Sequence, residues 1–200
     1  MTTTQAENAN NWSLRAADAG ASNTGGEVAL DGPDRRLTAA ALAVGVVFGF
    51  GGNFLPELPQ TLAHVISSIG LVVGSVTLAL SLLRRRRELV AAGLLVLAMA
   101  ELVMWNNGSS VELGDLAFSS SVMFYVPGLL LASIPRGFPI WSRMAGGLAA
   151  IPFGIHAVQF LLDASPSSSG PLAIAGYLLM SVAIIGWIVA ILRPAPAAQR

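Results

Sequence analysis

The sequence predicts an all-α fold: a polytopic membrane protein built as a bundle of six transmembrane helices. Three observations predict it. Hydrophobic residues make up 54% of the chain and charged residues only 11%, where a soluble domain carries about 25% charged residues. Apolar segments near 37–55, 61–83, 88–105, 114–134, 142–163 and 171–192 each come close to the roughly 20 residues that cross ~30 Å of hydrocarbon. Finally, all eleven basic residues are arginines, and they bracket those segments on alternate ends.

The arginines set the expected orientation. Arg35 and Arg36 precede the first segment, and Arg84, Arg85, Arg86 and Arg87 join the second to the third. Arg136 and Arg143 lie between the fourth and fifth, and Arg193 follows the sixth. The other loops, around Glu57, Asn106 to Ser110 and Ser165 to Gly170, contain no basic residue. Basic residues in short loops mark the cytoplasmic side. Both termini are therefore expected in the cytoplasm, with Glu57, Glu112, Asp115 and Asp163 at the outer ends. Arginine without lysine, with abundant alanine and glycine, suggests a GC-rich bacterial source and hence the bacterial inner membrane.

Each element follows from local signals. Residues 1–34 are rich in Ala, Asn, Thr, Gly and Asp and lack an apolar stripe. They bury too little surface to offset their ordering entropy, so a disordered cytoplasmic tail is expected. No early apolar run marks a signal peptide. Residues 35–194 form the six-helix domain, and 195–200 a short cytoplasmic tail. The first helix carries Gly45 and Gly49, and the second Gly70 and Gly74. Small residues four apart let two backbones approach closely, which predicts contacts within the bundle and leaves a homo-oligomer open. Pro127 and Pro152 interrupt the fourth and fifth helices and displace the carbonyls of Met123 and Leu148. They mark either packing kinks or a broken-helix site. Pro171 opens the sixth helix, where its missing donor costs nothing. Phe54 and Trp105 at one boundary, with Phe138, Trp141 and Trp187 at the other, form the expected aromatic belts.

Composition and motifs exclude several chemistries. Without cysteine there is no disulfide, thiolate metal site or c-type haem attachment. Without lysine there is no Schiff base. HExxH, GxSxG, Walker A and GxGxxG patterns are absent, and no catalytic residue is singled out. A net charge of zero gives no basis for nucleic-acid binding. The implied partners are the lipid bilayer and, through the helix faces, another copy or another membrane protein.

Functional expectation rests on polar residues inside the spans. His64, Glu101, Asp115 and His156 all fall in the outer half under this topology, and His156, Gln159 and Asp163 share a helical face at i, i+3 and i+7. An acid within a span costs on the order of 3 kcal/mol and is usually turned to the bundle interior or a water-filled cavity. Glu101, His156 and Asp115 are expected to face one outward polar pocket with His64 at its rim. Such a pocket would bind or move a small solute, a cation or a proton. Two alternatives stand beside it. Glu101 pairs with His156 or a serine in a non-catalytic membrane subunit or scaffold, or His64 and His156 ligate haem or a first-row divalent metal in a redox subunit. No cofactor is favoured.

Overall fold

The computed structural model describes residues 33–107, 111–134, 136, 138–162 and 167–193. It is all-helical, with no strand among these residues. The six helices are α1 (Pro33–Gly52), α2 (Glu57–Arg84), α3 (Glu88–Asn107), α4 (Val111–Ser133), α5 (Ile140–Leu161) and α6 (Pro171–Leu192). Every one is long and apolar enough to cross a membrane, so the chain is a multi-pass membrane protein whose exposed leucines, isoleucines and valines meet lipid. The expected tails lie outside the described residues, save that α1 takes in Pro33 and Asp34. Proline at the first helical position and an acid in the first turn are both start signals, so the helix begins ahead of its apolar stripe. Likewise α2 begins at Glu57, directly after Pro56.

Consecutive helices run antiparallel, and α1 returns to pack on α6, closing a ring. One end carries the α2–α3 turn with Arg84 to Arg87, the α4–α5 connection, the start of α1 and the end of α6. We call it the arginine end. The opposite end, with Glu57 and Asp115, is the acidic end. The tightest packing is within the three hairpins α1–α2, α3–α4 and α5–α6, each joined at the acidic end. In the first, a Cβ on Gly70 would lie 2.7 Å from the Ala41 carbonyl oxygen and 2.8 Å from the Gly45 nitrogen. The GxxxG spacings of α1 and α2 thus meet each other inside one chain. Ser67 adds a hydrogen bond to the Gly45 carbonyl at 2.6 Å. In the third hairpin, Ser142 donates to the Ala183 carbonyl at 3.0 Å. Both α4 and α5 continue through their prolines.

Hydrogen bonds to helix ends close the arginine end. Arg143 donates from Nε to the Ser133 carbonyl at 2.8 Å and from its guanidinium to the Ile134 carbonyl at 2.6 Å, capping α4. Arg35 donates to the Leu192 carbonyl, joining α1 to the end of α6. Arg87 reaches the Arg136 carbonyl at 3.1 Å, tying the α2–α3 turn to the α4–α5 connection. Two of the three aromatics expected in the belt at this end are core instead. Trp187 is 1% exposed and packs on buried Phe138 at 5.6 Å between ring centroids. The reason is helical phase: Trp187 shares its face with Ala183 and Ile191, which the α5–α6 contact buries. Trp141, Phe54 and Trp105 remain exposed.

Candidate functional site

Glu101 is 4% exposed and lies inside the ring. Its α-carbon is ~9 Å from the end of α3, but helical side chains lean toward their N-terminus. Its carboxyl therefore points back toward the middle of the span. Tyr125 lies ~21 Å along α4 from the acidic end, and its side chain leans the other way. The two meet: the Tyr125 hydroxyl donates to Glu101 Oε1 at 2.5 Å. From α2, the Ser68 hydroxyl donates to Oε2 at 2.9 Å. Both carboxyl oxygens are thus held by hydroxyls from two other helices. Among the described residues no arginine or histidine forms an ion pair with Glu101.

Aromatic rings surround this carboxyl. Tyr125 stacks on Phe153 of α5 at 5.3 Å and meets Tyr177 of α6 edge-on at 6.2 Å. The Tyr177 hydroxyl in turn donates to the sulfur of Met104 on α3 at 3.4 Å, crossing the ring. Nearer the acidic end, Phe118 packs on Tyr177 at 5.7 Å and on His156 at 4.7 Å. His156 is 1% exposed, and its Nε2 shares a 3.2 Å hydrogen bond with the Ser119 hydroxyl. At the end itself Asp115 is exposed and accepts from the Ser168 backbone N–H at 2.8 Å, which fastens the α5–α6 loop to the start of α4.

The other expected members fall elsewhere. His64 is exposed near the end of α1, its ring 3.4 Å from where a Cβ on Gly52 would stand. Ser67 and Ser68, a helical step of about 100° apart, face different neighbours, α1 and α3 respectively. Gln159 is half-buried in an apolar groove lined by Ile151, Ile155 and Val158, all exposed on the lipid side of α5. Asp163 lies outside the described residues. Among the described residues no three His, Asp or Glu side chains are grouped to hold a metal ion, and the helices bearing His64 and His156, α2 and α5, are not neighbours in the ring.

Sequence reasoning missed Tyr125, Tyr177, Phe118 and Ser119. One signal was available. The chain has only two tyrosines, both within spans rather than at boundaries, where the phenol oxygen would find water. A tyrosine deep in a span needs a polar partner, and Tyr125 has Glu101.

Together these features define a class: a six-helix membrane protein with a hydroxyl-held carboxyl inside the ring. No protein-family model matches the chain, and no curated protein or solved structure is significantly similar to it.

Proposed function

We propose that the interior around Glu101 is a binding site for a proton or a small cation, reached from the acidic end past Asp115 and His156. One observation carries this reading: a buried carboxyl whose oxygens accept from Tyr125 and Ser68 but which has no basic partner among the described residues. An ionised carboxylate removed from water costs several kcal/mol unless compensated. Neutral hydroxyls compensate part of that cost. A proton on the carboxyl, or a cation beside it, supplies the rest. Hydroxyls suit both states, because each can donate to a carboxylate or accept from a carboxylic acid. His156 and Asp115 are further proton-exchanging groups between this carboxyl and the acidic end. The small-solute form of the pocket belongs to the same proposal.

The test is flux in vesicles reconstituted with the full chain and loaded with a pH-sensitive or a sodium-sensitive dye, matched to the gradient imposed. Under an imposed proton or sodium gradient, the wild-type chain should move the ion faster than empty vesicles. Glu101→Gln should abolish the difference, and His156→Gln should slow it. Flux retained in folded Glu101→Gln vesicles would remove Glu101 from the path.

A second reading has its own support. The Ser68–Glu101–Tyr125 bonds join α2, α3 and α4, so the carboxyl also serves to fix helix packing in a scaffold or subunit. That role predicts equal loss of folded protein and of any flux in Glu101→Gln. Contact with another copy or a partner membrane protein belongs to this reading.

The location forms part of the proposal: a bacterial inner membrane with both termini cytoplasmic, supported by the arginine distribution. Because the chain has no cysteine, single-cysteine labelling tests it cleanly. A cysteine at Ser167 should react with an impermeant reagent from outside, and one at Arg85 should not. The opposite pattern would invert the topology.

A further inference from the structure

The α2–α3 turn carries an arginine where the backbone asks for glycine. After the C-cap Arg85, the N–H of Arg86 bonds the Leu83 carbonyl at 3.0 Å and the N–H of Arg87 bonds the Leu82 carbonyl at 3.0 Å. That paired pattern is the Schellman motif, whose next residue after the cap adopts left-handed dihedrals and is usually glycine. Here Arg86 takes that position, with φ 58°. Left-handed backbone is unfavourable for a residue with a Cβ. Topology alone does not require an arginine there. A glycine at 86 would still leave Arg84, Arg85 and Arg87 to bias insertion, since that bias counts charges and is indifferent to backbone geometry.

The surroundings point to what the side chain meets. Arg86 and Arg136 are exposed, and the hydrogen bond from Arg87 to the Arg136 carbonyl brings their two segments together. Arg84 is 76% exposed at its side chain and stands 3.9 Å from Asp34. Leu83, Leu89 and Ile134, each within two residues of one of these arginines in the chain, are exposed at or next to the ends of the membrane helices. Exposed arginines next in the chain to exposed apolar residues at the helix ends match the two parts of a phospholipid, since arginine binds phosphate oxygens in a bidentate way and basic clusters at helix ends attract anionic headgroups.

We infer that Arg86 and Arg136 form a binding site for the headgroup of an anionic phospholipid at the arginine end, with its acyl chains along Leu83, Leu89 and Ile134. The site is independent of Glu101. The left-handed arginine places its charge at the tip of the turn.

The test uses the purified full chain in neutral detergent, with phosphatidylglycerol, phosphatidylcholine or inorganic phosphate added. Bound lipid is counted by native mass spectrometry, and the thermal unfolding midpoint is followed. Phosphatidylglycerol should be retained and should raise the midpoint, less so at high salt, while phosphatidylcholine and inorganic phosphate should do neither. Arg86→Gly should unfold in lipid-free detergent at the same or a higher temperature, because glycine fits the turn, yet lose most of the retained phosphatidylglycerol. Arg136→Gln should lose it as well. If Arg86→Gly folds poorly, Arg86→Asn provides a neutral residue that tolerates left-handed dihedrals. Equal retention of phosphatidylglycerol by wild type and both neutral variants would overturn the site. So would equal retention of phosphatidylcholine, or a midpoint rise with phosphate alone.

Discussion

Gly93→Val should lower the unfolding free energy by about 3 kcal/mol, at the upper end of what overpacking costs. A Cβ on Gly93 would stand 2.6 Å from the Ala132 nitrogen and 2.8 Å from the Gly128 carbonyl oxygen. Both are backbone atoms of α4, so no rotamer change relieves the clash and the two helices must separate. Separation also spreads the α3–α4 pair that carries Glu101 and Tyr125, so the hydrogen bond between them should be lost with stability. Gly147→Val is the control. It inserts the same side chain in a span, where a Cβ meets nothing within 4 Å, and should change stability by less than about 0.5 kcal/mol. Unfolding in mixed micelles titrated with a denaturing detergent measures both. Similar values for the two variants would mean that α3 and α4 are not in backbone contact.

Tyr125→Phe should cost about 2 kcal/mol, because it removes one hydroxyl and leaves Glu101 Oε1 buried without its donor. The ring and its stacking on Phe153 are retained, so the loss reports the hydrogen bond. Glu101→Leu removes the carboxyl and leaves the Tyr125 hydroxyl without an acceptor. The double variant leaves neither group stranded. It should therefore be more stable than the sum of the single losses predicts, by more than about 1 kcal/mol. Additive losses would show that the two side chains are not coupled. The comparison also separates the readings of Glu101. If the carboxyl is purely structural, the double variant should recover the part of the stability lost through the stranded Tyr125 hydroxyl, leaving the Ser68 bond as the remaining loss, whereas if it binds an ion its loss should abolish flux even in a double variant that folds.

That this is a membrane protein of six helices was legible in the residues alone, because the length of an apolar run and the thickness of a bilayer are matched quantities that need no partner. Local chemistry also placed the helix starts to within a few residues. The early start of α1 at Pro33 came from capping signals that the apolar stripe alone does not carry. The GxxxG faces were legible as contact faces for a similar reason, since small residues leave only close approach as their advantage.

Which polar residues meet was settled by packing between helices. Glu101 was legible as unusual because a charge in a span is costly whatever surrounds it. Its partners were not, because Ser68 and Tyr125 lie on two other helices, and the rotation of each helix about its axis is set by its neighbours. The same rotation turned Trp187 from an interface belt into the core, put His64 on an exposed face, and left Gln159 in a groove toward lipid while His156, three residues earlier, went inward. Periodicity assigns a residue to a face. Which neighbour that face meets depends on the order of helices around the ring and on the small residues that let particular pairs close in.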